Sequence, residues 1–110
     1  MSNQIITEAE VEAALDYLRD QAGPAAQARA NREYCLEFRK VVKAQIMQEH
    51  ADKPLGAQER DAYADARYCA HLDAIREAVE IDEKHRFLMS AAQTKLDCWR
   101  TQSSNERKGY

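Results

Sequence analysis

The sequence predicts an all-α protein, a long antiparallel helical hairpin resembling a coiled coil, with a short N-terminal helix beside it. Three observations lead to this fold class. Only three glycines and two prolines occur among 110 residues, and nineteen residues are alanine, the strongest helix former. The stretch from Ala70 to Arg100 contains neither glycine nor proline. Apolar residues recur in it every three or four positions, which is the period of a helix face.

The core that this composition can build is thin. Leu, Ile, Val and Phe together number only 18 residues, while the net charge is only −3. A chain of this length is expected to form a single domain over residues 1–110. Because so small a domain buries limited apolar surface, we expect a homodimer or higher oligomer to cover what the hairpin leaves exposed.

The first helix is predicted over residues 8–22. Thr7 and Glu10 have the T-x-x-E spacing of a capping box, in which each residue's side chain accepts a hydrogen bond from the other's backbone amide. Gly23 suits a left-handed C-terminal cap, and Pro24 suits the first turn of the next helix. We therefore expect the chain to break here.

The second helix is predicted over residues 24–52, and it ends before Pro54 because a proline disfavours helix in the residue preceding it. The chain then turns back at "DKPLG". We expect the core face of this helix to be the stripe of Tyr34, Phe38, Val41 and Gln45, widened by Cys35, Val42 and Ile46.

The remaining chain is predicted to form a short helix over 57–64 and a long helix over 66–102. Asp65 between them is a favourable N-cap residue. The tail at 103–110 loses the apolar period, so it is expected to fray.

The long helix carries two apolar edges, so it should contact two neighbours. We expect Leu72, Ile75 and Val79 to be deeply buried in the hairpin seam. Replacing Leu72 by alanine should then cost roughly 2–5 kcal/mol.

The sequence contains no arrangement typical of an enzyme. His71 and His85 lie on one predicted helix, roughly 21 Å apart at ~1.5 Å per residue, so they cannot share a metal ion. The glycines are isolated and form no phosphate-binding loop. We therefore expect a non-enzymatic protein without a cofactor or a metal.

The cysteines and the N-terminal segment indicate the compartment. Cys35, Cys69 and Cys98 are widely spaced, no CxxC occurs, and no apolar leader precedes the first helix. No stretch approaches the ~20 apolar residues of a membrane span. We expect reduced thiols, a cytoplasmic protein and no membrane association.

Three aromatic residues are candidates for binding a protein partner: Tyr63, Tyr68 and Trp99. Tyrosine and tryptophan are enriched at interface hot spots. A thin helical hairpin also needs large side chains for its own core, so both interpretations stay open.

A basic strip is a candidate for binding nucleic acid. Arg32, Arg39 and Lys43 can share one face of the second helix, with Tyr34 and Phe38 nearby, as in surfaces that follow a single strand. Charged residues beside an apolar stripe are also the ordinary pattern of a surface helix. The acidic balance of the whole chain favours the second interpretation.

A family resemblance rests on "NREYCLEFRK" in the second helix and on "QERDAYADARY", "REAVE" and the terminal "WR" after it. These features resemble a group of small helical proteins of tailed phages and prophages, over about residues 29–107. The resemblance implies a viral origin, in a bacterial host, among early, recombination or replication genes. It carries no catalytic motif.

The function that we expect is that of a phage or prophage accessory protein that binds another protein through a helical face. The partner would be a recombination or replication factor or a host-defence component. The alternative is a single-strand nucleic-acid-binding recombination accessory that uses the basic strip.

Overall fold

The computed structural model describes residues 5–109, and three helices and no strand occur among them. Helix α1 spans Glu8–Glu49, α2 spans Leu55–Ala64 and α3 spans Ala66–Arg107. The predicted all-α fold class is confirmed, with the two long helices α1 and α3 pairing as a helical hairpin and α2 connecting them.

The hairpin consists of two compact units. Unit 1 joins the beginning of α1, up to Ala26, to the end of α3, from Lys84 onward. Unit 2 is the continuous segment Gln27–Glu83, which includes α2.

The helices are antiparallel within each unit, as cross-helix hydrogen bonds show. In unit 1 the Gln102 side-chain amide donates to the Ile6 carbonyl at 2.9 Å, so the end of α3 lies beside the beginning of α1. In unit 2 the partners of α1 move backward along α3. Arg32 bonds Asp82, and Glu49 near the end of α1 bonds Arg67.

The predicted break at Gly23 and Pro24 is wrong, because α1 continues through both residues. A proline inside a helix removes the hydrogen bond to the carbonyl four residues earlier, here that of Asp20. Residues 20, 23 and 24 are all exposed, so water can satisfy this carbonyl. Glycine also lacks the Cβ that would meet the proline ring from the preceding position. The predicted helices 8–22 and 24–52 are therefore one helix, and it ends at Glu49.

Two of the predicted helix starts, at residues 8 and 66, agree with the structure. The Thr7 hydroxyl oxygen accepts from the Glu10 amide at 3.2 Å, which is one of the two hydrogen bonds of a capping box. The Asp65 carboxylate accepts from the Arg67 amide at 2.8 Å and caps α3. The short helix begins at Leu55, two residues before the predicted start.

Arg67 ties the start of α3 to the end of α1 in unit 2. Its guanidinium bonds the carboxylates of Asp65, at 3.0 Å, and of Glu49, at 3.1 Å from Nη1 to Oε1. These hydrogen bonds lower the pKa of both carboxyls below their ordinary values. The turn that closes the hairpin is thus held by charge-assisted hydrogen bonds.

The prediction of a frayed tail over 103–110 is wrong as far as Arg107, because α3 extends to that residue. Gln102 fastens the last turns to α1 by accepting from the Ile5 amide at 2.9 Å and donating to Ile6. The apolar period ends near Trp99, but a polar side chain continues the packing. Tyr110 lies outside the described residues.

Side chains that are buried or half-buried recur along both helices at alternating spacings of three and four, the heptad pattern of a coiled coil. On α1 the positions are Val11, Ala14, Leu18, Gln21, Ala25, Ala28, Arg32 and Cys35. On α3 they are Tyr68, His71, Ile75, Ala78, Asp82, His85, Met89, Ala92, Leu96 and Trp99.

The core is made mostly of alanine. The buried apolar residues are Ala14, Ala28, Ile46, Ala62, Tyr68, Ala78 and Ala92, and Ile46 is the largest side chain that is fully buried. Small residues at the seam let two helices approach closely, which leaves larger neighbours at the margins.

The predicted deep burial of Leu72, Ile75 and Val79 is therefore wrong. Leu72 is 42% exposed, and the other two are half-buried. The seam passes through His71, Ile75 and Ala78, so Ile75 lies on it while Leu72 and Val79 lie beside it. The pattern that we expected selected the largest apolar side chains, whereas the helices meet on smaller and more polar ones.

Candidate interaction surfaces

Two of the three candidate aromatic residues lie together in unit 2. The rings of Tyr63 and Tyr68 meet edge to face, with centroids 5.3 Å apart. Tyr68 is 8% exposed and belongs to the core cluster with Ile46 and Ala62. Tyr63, at the end of α2, is 49% exposed. Of this pair, only Tyr63 offers a surface that a partner can reach.

Trp99 lies in unit 1 and is half-buried at a seam position of α3. It borders a shallow depression on the last turns of that helix, formed with Arg100, Ser103, Glu106 and Arg107. The depression is lined by side chains of one helix only, so no second element shapes it into a pocket.

Lys43, a member of the predicted basic strip, is engaged by Tyr63. Its ammonium donates to the phenol oxygen at 2.8 Å and lies 4.7 Å from the centroid of the ring. Glu59 is 3.9 Å away. The hydrogen bond to Tyr63 is the largest cause of the raised pKa of Lys43, against a smaller lowering by desolvation. A phosphate would have to replace these contacts.

Arg32, the second member of the strip, faces α3 and pairs with two carboxylates. Its Nη1 is 2.8 Å from Glu83 and 3.0 Å from Asp82, which is only 2% exposed. Hydrogen bonds, first to Glu83 and then to Asp82, raise the pKa of Arg32. Arg39 is exposed and makes no ion pair within the part of the chain that the structure describes. The strip therefore offers one unpaired cation, not three.

A surface that the sequence analysis assigned to the core is exposed. We name Tyr34, Phe38 and Val41 on α1 the Tyr34 surface. Tyr34 is 64% exposed, Val41 is 43% exposed and Phe38 is half-buried. The expected core face is thus right for its widening residues and wrong for most of its central stripe. Cys35, Val42 and Ile46 are buried or half-buried at the seam, whereas Tyr34, Val41 and Gln45 are exposed.

The Tyr34 surface is held in place by its neighbours in unit 2. Tyr34 stacks on Phe38 with centroids 5.6 Å apart, and Phe38 contacts the His71 ring of α3, also at 5.6 Å. His71 is itself fixed by a 2.7 Å hydrogen bond between its Nε2 and the Cys35 carbonyl. Nε2 must donate this bond because a carbonyl can only accept. The exposed Tyr34 ring therefore stacks on a half-buried ring that itself contacts α3.

Unit 1 carries a second surface, a groove of about 310 Å³ between α1 and α3. We name it the unit 1 groove. Its lining residues are Glu10, Ala13, Ala14, Tyr17, Leu88, Ala91, Ala92 and Lys95. Half of these lining residues are alanine, and Leu88 is 45% exposed. The sequence analysis missed this groove, although the alanine-rich run around residues 13 and 91 was a signal for it.

The described residues contain no group of three or more His, Cys, Asp or Glu side chains that could hold a metal ion. Among residues 5–109, no helix has an apolar window long enough to cross a bilayer. The three cysteines are unpaired.

No protein-family model, curated protein sequence or solved structure matches this chain.

Proposed function

We propose that this chain is a non-enzymatic accessory protein of a phage or prophage that binds another protein through a helical face. The supporting observation is that the buried apolar residues are mostly small, whereas many large apolar residues are exposed. Five of the seven buried apolar residues are alanine, while ten large apolar residues are exposed. Single exposed apolar residues are ordinary, but Tyr34 and Val41 are exposed on one face of α1 together with the half-buried Phe38, and an apolar surface of this kind marks an interaction site.

We assign the binding role to the Tyr34 surface. Its residues follow at i, i+4 and i+7, which is the spacing of the anchors that a helix presents to an apolar groove of a partner. Tyrosine contributes strongly at such contacts because it buries a large, rigid ring. The stacking of Tyr34 on Phe38 fixes the rings before binding, so little side-chain entropy is lost on docking.

The apolar character of the Tyr34 surface favours a partner with an apolar groove. Arg39 and Lys40 lie on other faces of α1, because neither is three, four or seven residues from any member of this surface. A recombination or replication factor or a host-defence component of the bacterial cytoplasm is the class of partner that we propose.

Site-specific photocrosslinking tests this proposal. A photoreactive phenylalanine analogue replaces Tyr34 or Val41, one position at a time, in protein produced in bacterial host cells. We expect a defined crosslink to one other polypeptide from both positions. The matched control is the same analogue at Lys40, whose side chain is 71% exposed on the same helix but on another face.

Equal crosslinking from all three positions, or none from Tyr34 and Val41, would contradict the proposal. Crosslinks to nucleic acid in place of protein would favour the alternative, a single-strand-binding accessory. In that case binding should weaken with the logarithm of salt concentration at a slope of about −0.7 per phosphate contact.

A further inference from the structure

We infer that the unit 1 groove is the contact surface for a second copy of this chain, which packs face to face to form a four-helix arrangement. This inference goes beyond the proposed function, since it uses residues of unit 1 and a different occupant. It also identifies the contact surface of the oligomer that we expected from the thin core.

The groove is unusual in carrying opposite charges on its two walls. Glu10 stands on α1 and Lys95 stands on α3. Neither makes an ion pair within the described part of the chain. Four of the eight lining residues are alanine, and we call Ala13, Ala14, Ala91 and Ala92 the alanine floor of the groove. A foreign partner would need two charges in the converse arrangement, whereas a second copy supplies them automatically.

The position of each residue along the helix axis determines which residues of two copies would contact each other across a twofold axis. The Gln102 to Ile6 hydrogen bond fixes the alignment of α1 with α3 in unit 1. Counting from that contact, Glu10 and Lys95 lie within roughly one helical turn of each other. Tyr17 and Leu88 correspond in the same way, one to two turns further on.

A twofold axis parallel to the helices would place α1 of one copy over α3 of the other. Residues at one level then stay at that level. Glu10 of one copy would face Lys95 of the second copy, and Tyr17 would face Leu88 of the second copy. Each contact would occur twice, as in any isologous dimer. Antiparallel neighbours on all sides are the ordinary arrangement of a four-helix bundle.

Packing also favours this occupant. Ala13 and Ala91 are exposed, and the groove between them is shallow and apolar. Large side chains of the second copy, Tyr17 and Leu88, can lie on the alanine floor. An interface of small and large residues in alternation is how helical layers interdigitate.

A charge-swap experiment tests the inference on the full-length chain. Glu10→Lys gives a chain with two lysines on the groove, and Lys95→Glu gives one with two glutamates. We expect each variant alone to dimerise about tenfold more weakly than the original chain, because like charges then meet twice. An equimolar mixture of the two variants should recover dimerisation as a heterodimer. Sedimentation equilibrium with one variant fluorescently labelled measures both.

The mixture separates contacts between copies from contacts within one chain. If Glu10 and Lys95 acted only across their own groove, both variants would keep their like-charge pair, and mixing would change nothing. That result would overturn the inference. So would a monomeric original chain at micromolar concentration.

A further variant, Ala91→Glu, tests whether a second copy packs on the alanines of the groove. Ala91→Glu places a carboxylate on the exposed floor of the groove, where a glutamate favours helix and a second copy cannot pack over it. We expect a loss of dimer of at least about tenfold, with the helical content unchanged by circular dichroism. Thr94→Glu, an exposed position one turn away on α3, is the matched control and should leave the dimer intact. A dimer that persists in Ala91→Glu would overturn the inference.

Discussion

Asp82 is the one buried charged or polar residue among residues 5–109, and it occupies a seam position of α3. Its partner Arg32 occupies a seam position of α1. A charged pair inside an apolar seam adds little net stability, because desolvation offsets the attraction. It can still select one alignment of two helices, since sliding either helix would leave the buried charge unpaired.

The Arg32 and Asp82 pair can be tested by comparing single and double replacement. Arg32→Leu leaves the buried Asp82 carboxylate without its cation, so the midpoint of thermal unfolding should fall by roughly 10 °C or more. The double variant Arg32→Leu with Asp82→Leu removes both charges and should return close to the original midpoint. Differential scanning calorimetry measures both. If the double variant were as unstable as the single one, burial of the carboxylate would not be the cause.

Ile46 and Leu72 form a matched pair for testing the position of the seam in unit 2. Ile46 is 1% exposed, so Ile46→Ala should lower the free energy of unfolding by about 2–5 kcal/mol. Leu72 is 42% exposed, and Leu72→Ala should cost less than about 1 kcal/mol. Urea unfolding followed by circular dichroism gives both values. Equal losses of unfolding free energy in the two variants would indicate that Leu72 is buried in the seam.

At the scale of the helix, α1 lacks one backbone hydrogen bond in its interior and still remains continuous. Pro24 lacks the amide that would bond the Asp20 carbonyl, and Gly23 adds backbone freedom to the unfolded chain. Both residues are exposed, while the seam residues Gln21 and Ala25 on either side are half-buried. Packing against α3 keeps the helix continuous where its local sequence favours an end.

Restoring the missing hydrogen bond should stabilise the protein. Pro24→Ala supplies an amide at an exposed position inside α1, so the free energy of unfolding should rise by about 1–3 kcal/mol. Pro54→Ala is the matched control, because Pro54 caps α2 at a position where no helical hydrogen bond is lost. That change should produce no gain and a loss below about 1 kcal/mol. A gain from Pro54→Ala and none from Pro24→Ala would show that the missing hydrogen bond is irrelevant.

At the scale of the whole molecule, the sequence predicted the fold class and the two helix starts at Thr7 and Asp65, because helix propensity and capping are local. It did not predict the continuity of α1 at Pro24, which depends on packing against another helix. It also did not predict which stripe would be the seam. That choice depends on the close approach of two backbones, which alanine permits and which hydrophobicity alone does not indicate.

For the candidate site residues, too, the local sequence indicates the residue types, while the tertiary structure determines their exposure and their partners. The aromatic residues Tyr63 and Tyr68 were both predicted as candidates for binding a partner, but only the tertiary structure separates the exposed ring from the buried one. The basic strip was a valid pattern on one helix. Its partners Asp82 and Glu83 lie some fifty residues further along the chain, so no local reading of the second helix could reveal that Arg32 is neutralised.

The alanine core has a thermodynamic consequence. Heat capacity rises on unfolding in proportion to the apolar surface that becomes hydrated, and denaturant sensitivity scales with the same area. A core in which Ile46 is the largest fully buried side chain releases little such area. The stability curve of the isolated chain should therefore be broad and flat with temperature, and its urea transition should be shallow. The fraction of folded molecules should therefore change gradually with temperature and not in one steep step.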